Sequence, residues 1–231
     1  MPDDTIPEAL AALWREPAPT RRSGGLSRER IVAQAIQMAD ADGLGALSMA
    51  KLAQRMGCGT MSLYRHIANK DQLIAFMLSA APGPPPVPTR GGNWRTALDG
   101  WASGLWEVYH RHPWILPASA ASPPVDPGQL AWLDAGLAAL GGTGMSERDK
   151  LAGVLAVLHF VRGAAALAIE APTDVDGLDY PRLLRTVVDE NRFPALVSAL
   201  HSGAFDDGDE SQVDAFRSGL NQLLDGLSLK L

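Results

Sequence analysis

Between positions 57 and 72 the chain reads GCGTMSLYRHIANKDQ, which gathers the hydroxyls of Thr60, Ser62 and Tyr64 with the cations Arg65 and Lys70 and the imidazole of His66. Those groups donate hydrogen bonds and positive charge, the chemistry that grips phosphates and reads polar edges. Lys70 is the most informative of them. Asn69 is a good N-cap and Gln72 follows three residues later, so a helix starts at Lys70. A cation on that first turn, at the positive end of the helix dipole, is mildly unfavourable unless an outside anion lies against both the lysine and the free backbone amides.

The surrounding sequence supplies helices to position this set. Ile31, Ala35 and Ala39, beside Val32 and Ile36, predict a helix capped by Ser27 and closed near Gly43. Ser48 caps a second helix, Leu47 and Leu52 hold the two places of a hydrophobic staple, and Gly57 sits where a left-handed C-terminal residue is needed. After the tight turn CGT, a third helix is expected from Thr60 to Ile67. Leu63 and Ile67 point inward from it, which leaves Met61, Ser62, Arg65 and His66 outside and Tyr64 able to flank either surface. The fourth helix turns Leu73, Ile74, Met77 and Leu78 toward the body and stops at APGPPPVP, which cannot continue a helix. Two helices joined by a short glycine-containing turn, braced by a preceding helix, are the layout of a helix-turn-helix.

Beyond a boundary near 82, every long patterned segment has helical period. Trp94, Leu98, Trp101, Leu105 and Tyr109 mark one helix, Leu151, Leu155, Leu158 and Val161 another, and Val213, Phe216, Leu220, Leu223 and Leu227 the last. The expected fold class is all-α: residues 1–26 as an N-terminal arm with a short amphipathic turn before Trp14, 27–81 as a three-helix helix-turn-helix unit with its following helix, and 82–231 as a helical bundle.

Net charge is −6, yet residues 21–81 carry eight Lys/Arg against four Asp/Glu. A basic module on an acidic body points to a polyanion partner for the module alone. Cys58 is the single cysteine, which removes an intramolecular disulfide and any cysteine-based zinc cluster and suits a reducing cytoplasm. No leader with a cleavage site is visible, and the apolar segment 151–171 is interrupted by His159 and Arg162, so it reads as a buried or interface helix rather than a membrane span.

The segment LSMAKLAQRMGCGTMSLYRHIANKDQLI, residues 47–74, resembles the DNA-binding segment of the tetracycline-repressor (TetR) family of bacterial regulators, and FRSGLNQLLDGL near the end is similar to that branch's last helix. The resemblance implies a homodimer whose third helices enter successive major grooves of a near-palindromic operator in double-stranded DNA, and whose bodies bind a small-molecule effector. Positions matching the family's DNA contacts are Met49, Ala50, Thr60, Met61, Ser62, Tyr64, His66 and Lys70. Ala50 stands where close relatives carry a phosphate-binding arginine, a contact that Arg65 or the N-terminal arginines could supply instead. The anion opposite Lys70 is then a DNA phosphate.

Several of these residues also have plainer readings. A lone tyrosine such as Tyr64 is ordinarily a core-edge residue, Lys70 could be a solvated lysine, and Cys58 a turn filler. The histidines of YHRHP, at i and i+2, face different directions on a helix and make a poor metal pair. Any one tryptophan is most simply core. Five of the six nevertheless fall in 94–132, the half of the body where relatives keep their ligand cavity. Trp101, Leu105, Trp106 and Trp132 are therefore expected to wall a pocket for a flat, largely apolar or aromatic molecule, with a positive charge tolerated by cation–π contact. Tetracycline-binding relatives present a histidine late on the fourth helix, where this chain has AAPGPPP. Gly153, Gly163 and neighbouring alanines permit a close helix seam, either between subunits or within one.

No G-x-S-x-G, H-E-x-x-H or P-loop is present, so nothing suggests an enzyme and no cofactor is implied. The competing class is a DNA-binding regulator without a small-molecule effector, controlled by a protein partner.

Overall fold

In a computed structural model, residues 8–14, 26–87, 93–121, 124–170, 180–205 and 212–231 are described, and among them there is no strand. The helices of the N-terminal part are α1 (Glu8–Trp14), α2 (Arg28–Asp42), α3 (Met49–Arg55), α4 (Thr60–Tyr64) and α5 (Lys70–Ala80). The body follows as α6 (Trp94–Arg111), the short α7 (Ile115–Ala118), α8 (Pro127–Ala139), α9 (Glu147–Glu170), α10 (Tyr180–Val187), α11 (Pro194–His201) and α12 (Gln212–Ser228).

Local chemistry fixes the ends of the first helices. Ser27, Ser48 and Asn69 each accept a backbone N–H three residues ahead, from Arg30, Lys51 and Gln72 respectively. The staple pair Leu47 and Leu52 is buried. α3 closes in a Schellman arrangement: the Gly57 amide donates to the Gln54 carbonyl at 3.1 Å and the Cys58 amide to the Ala53 carbonyl at 3.0 Å. Gly57 supplies the required positive φ of 67°. α4 is shorter than the expected Thr60–Ile67. The chain leaves the helix after Tyr64 because Asn69 must adopt an extended φ of −159° to cap α5, yet Ile67 still reaches the core beside Leu63.

The segment read as an arm contains a docked helix. α1 packs against α5, and the Trp14 indole N–H donates to the Val125 carbonyl at 3.1 Å. The body is organised around α6 and α9, with α8 and α12 packed against α9. Small residues allow the close approaches: Gly153 faces Leu227, Gly219 faces Phe160, and Gly136 faces Trp101 and Val154. α9 is long and apolar enough to cross a membrane by length and composition alone, but here it packs against α6, α8 and α12.

Further polar ties join the N-terminal helices to the body. Asp40 Oδ1, on α2, accepts from His112 Nδ1 and from the Trp114 indole, both at 2.7 Å. At the end of α5, Ser79 Oγ accepts from the Gly128 amide at 3.1 Å, on the first turn of α8.

Candidate nucleic-acid interface and ligand cavity

The α3–turn–α4 unit and the start of α5 present most of the residues singled out in the sequence on their outer side. Met61 is 74% exposed and Tyr64 44% exposed; Ala50, Arg65 and His66 are exposed, while Thr60, Ser62 and Lys70 are half-buried. Tyr64, Arg65 and His66 share a shallow groove with Arg28 and Gln72, so these donors converge on one face. Met49 is a correction. Its side chain is 8% exposed and belongs to the core, because the first residue of α3 must anchor that helix against α2. Only its backbone amide, at a helix start with no intrahelical acceptor, is left for a phosphate. Arg21 and Arg22 lie outside the described residues.

At the start of α5 the Gln72 side chain accepts from the Ala68 amide at 2.7 Å while Asn69 Oδ1 accepts from the Gln72 amide at 2.8 Å. The amides of Lys70 and Asp71 remain without intrahelical acceptors. Glu29 lies nearby, its carboxyl held below its usual range first by backbone and Ser27 hydrogen bonds and then by the charges of Arg28 and His66.

A second site lies at the other end of α5. A cavity of about 220 Å³ is lined by Leu78 and Pro82 from the end of α5, Trp101, Leu105 and Tyr109 from α6, and Trp132 from α8, with α7 and α9 closing it. Three of the four aromatic and aliphatic residues expected there are present. Trp106 is not: it is stacked on Phe216 of α12 at 4.3 Å between ring centres, turned away from the cavity. Its place on α6, five residues from Trp101, carries it round to the α12 side.

The walls are held by their own polar atoms. The Trp101 indole donates to the Trp132 carbonyl at 2.7 Å, and the Trp132 indole donates to the Gly83 carbonyl at 2.9 Å. The sequence reading missed the polar members of the lining, Tyr109, Ser119, Gln129, His159 and Arg162. Burial pushes the Tyr109 phenol above its usual range, against the opposing charge and hydrogen bond of Arg162. An arginine in the middle of an otherwise apolar helix was the available signal, since such a residue is rarely buried without a purpose. The histidines diverge as expected: His110 Nδ1 lies 2.8 Å from the Trp106 carbonyl, and His112 turns to Asp40.

Comparison with known proteins bears on both sites. The family profile described as "Bacterial regulatory proteins, tetR family" matches residues 31–76, and the profile "Tetracyclin repressor-like, C-terminal domain" matches residues 86–231. The chain belongs to the TetR family. It is 31% identical to the HTH-type transcriptional repressor DrrR1 of Streptomyces coeruleorubidus across 97% of this chain and 86% of that protein. It is 29% identical to the tetracycline repressor protein class D of Escherichia coli, over 89% of this chain and 91% of the relative. Among solved structures, ActR of Streptomyces coelicolor in complex with actinorhodin superposes with a TM-score of 0.76 at 24% identity, covering 89% of this chain and 96% of that one; the likeness speaks for the fold. This TetR-family chain is a DNA-binding bacterial transcriptional regulator.

Proposed function

We propose that two copies of the chain bind a near-palindromic operator, and that a small, largely apolar or aromatic molecule in the α5–α9 cavity releases them. In this reading residues 27–81 are the DNA-binding domain, residues 82–231 bind the effector and make the dimer, and the protein works in the cytoplasm as a regulator and not as an enzyme. Ala50, Thr60, Met61, Ser62, Tyr64, Arg65, His66 and Lys70 face the duplex; Trp101, Leu105 and Trp132 face the effector.

The observation that carries the proposal is the placement of α5. Lys70 opens this helix on the proposed DNA side, and Leu78 and Pro82 at its other end line the cavity. Eleven residues span about 16 Å as one rigid element. A ligand that displaces Trp132 pulls on the Gly83 carbonyl and so on the C-terminal end of α5. The shift is delivered to Lys70 and to α4 without any contact between ligand and DNA. The Asp40 tie to His112 and Trp114 gives α2 its own fixed point on the body, about which such a movement turns.

The test is a gel shift with the inverted repeat flanking the gene, run against a panel of aromatic compounds. At least one compound is expected to release the duplex and quench tryptophan fluorescence. Trp132→Phe, which keeps the aromatic wall but loses the indole N–H, should bind the operator as the parent does and require more compound for release. Release unaltered in Trp132→Phe would remove this route from cavity to DNA.

A further inference from the structure

Resting on the reading of the cavity as an effector site, we infer that its effector is a planar aromatic molecule carrying an anionic oxygen, a carboxylate or an ionised phenol, that pairs with Arg162. Arg162 is half-buried in the cavity wall. Its guanidinium donates to Ser119 Oγ at 2.8 Å and to the Leu116 carbonyl at 3.2 Å, and it lies 5.9 Å from the centre of the Tyr109 ring. The Ser119 hydroxyl in turn donates to the Ile115 carbonyl at 2.7 Å, which aims its lone pairs at the arginine. These partners fix the orientation of the fork but are all neutral, so they leave its charge uncompensated.

Two other cations of the body are paired with acids. Arg95 and Lys150 each sit 2.7 Å from a carboxylate, of Asp225 and Glu147. Among the described residues Arg162 forms no ion pair, and the cavity lining contains no Asp or Glu. A charge held against apolar walls is costly unless something pairs with it, and an arginine fork matches a carboxylate in two parallel hydrogen bonds. Trp101, Leu105 and Trp132 offer the flat apolar slot, and Arg162 stands at its polar edge. His159, one turn earlier on α9, lines the same cavity and is exposed, a second donor where the cavity meets solvent. The tolerance of a positive ligand charge expected from the tryptophans alone is therefore reversed by the cation already present.

Three probes of one shape test this: 2-naphthoate, 2-naphthamide and 2-naphthylmethylammonium, titrated into the full chain near neutral pH and followed by calorimetry and tryptophan quenching. The carboxylate should bind about tenfold more tightly than the amide, and the ammonium weakest. Arg162→Gln should bring the carboxylate down to the level of the amide, and Arg162→Lys should keep part of the preference. Amide or ammonium binding as tight as the carboxylate in the parent protein, a comparison that needs no variant, would overturn the anionic assignment while leaving the cavity reading intact. A preference that survives in Arg162→Gln would do the same. Binding of none of the three at millimolar concentration would overturn the cavity reading and the inference with it.

Discussion

Lys70 sits where a helix dipole repels it, and the structure supplies no intrahelical acceptor for the amides beside it. Asn69 and Gln72 together satisfy the amides of Gln72 and Ala68, so the two amides of the first turn and the lysine ammonium form one anion-sized set. Against DNA that set is indifferent to sequence, whereas the hydroxyls of Thr60 and Tyr64 belong to the helix proposed to enter the groove. Lys70→Ala should therefore weaken every duplex alike and reduce the slope of log affinity against log salt by about 0.9, one phosphate's worth. Thr60→Ala and Tyr64→Ala should each cost about 1–3 kcal/mol, preferentially on the cognate operator. Operator binding retained at physiological salt by the triple variant would remove these residues from the interface. The caps and the staple could be read from the sequence because each is made by residues three to five apart. Met49 could not: whether the first residue of α3 points at DNA or into the core depends on where α2 lies.

At the scale of elements the deciding contacts join residues remote in the chain. A Cβ on Gly128 would lie 1.9 Å from the Ser79 carbonyl oxygen, a backbone atom that cannot swing aside. Only glycine lets the first turn of α8 rest on the last turn of α5. Gly128→Ala should push the two helices apart, lower stability by about 1–3 kcal/mol, and raise the effector concentration needed for release, as read by urea unfolding and operator titration. Parent-like stability would mean that α5 and α8 do not touch in this way. The helical periods of α5, α6 and α8 were legible because amphipathic repeats are local. The tie of Asp40 to His112 and Trp114, more than seventy positions away, leaves no pattern in a single sequence. The same holds for the cavity: its tryptophans were marked by clustering, but that Trp106 turns to Phe216 and Arg162 turns inward follows only from how α6, α9 and α12 are rotated against one another.

At the scale of the whole molecule the unfinished surface is on α9. Within its most apolar eighteen-residue window only 28% is buried inside the protomer, and Ala152, Ala156, Gly163 and Leu167 lie exposed at helical spacing along one side, Leu167 at 75%. Gly153, which from sequence could have served either seam, is used internally against Leu227, whereas a Cβ on Gly163 would meet nothing within 4 Å. A second copy of α9, with α12 beside it, is the partner that such a face would fit in the proposed two-fold assembly. Leu223 would be a poor probe of that seam, since it is already half-buried inside the protomer and a charge there would disturb α12 itself. Gly163→Glu is a sharper one: it adds a side chain where the protomer has room and replaces a helix-weakening residue. At a dimer seam it would place two carboxylates into a largely apolar contact, one turn from the exposed His159. The variant should keep the parent's helical circular dichroism, sediment as a monomer at concentrations where the parent is dimeric, and lose binding to a two-half-site operator. A Gly163→Glu protein that remains a dimer would put the seam on another face.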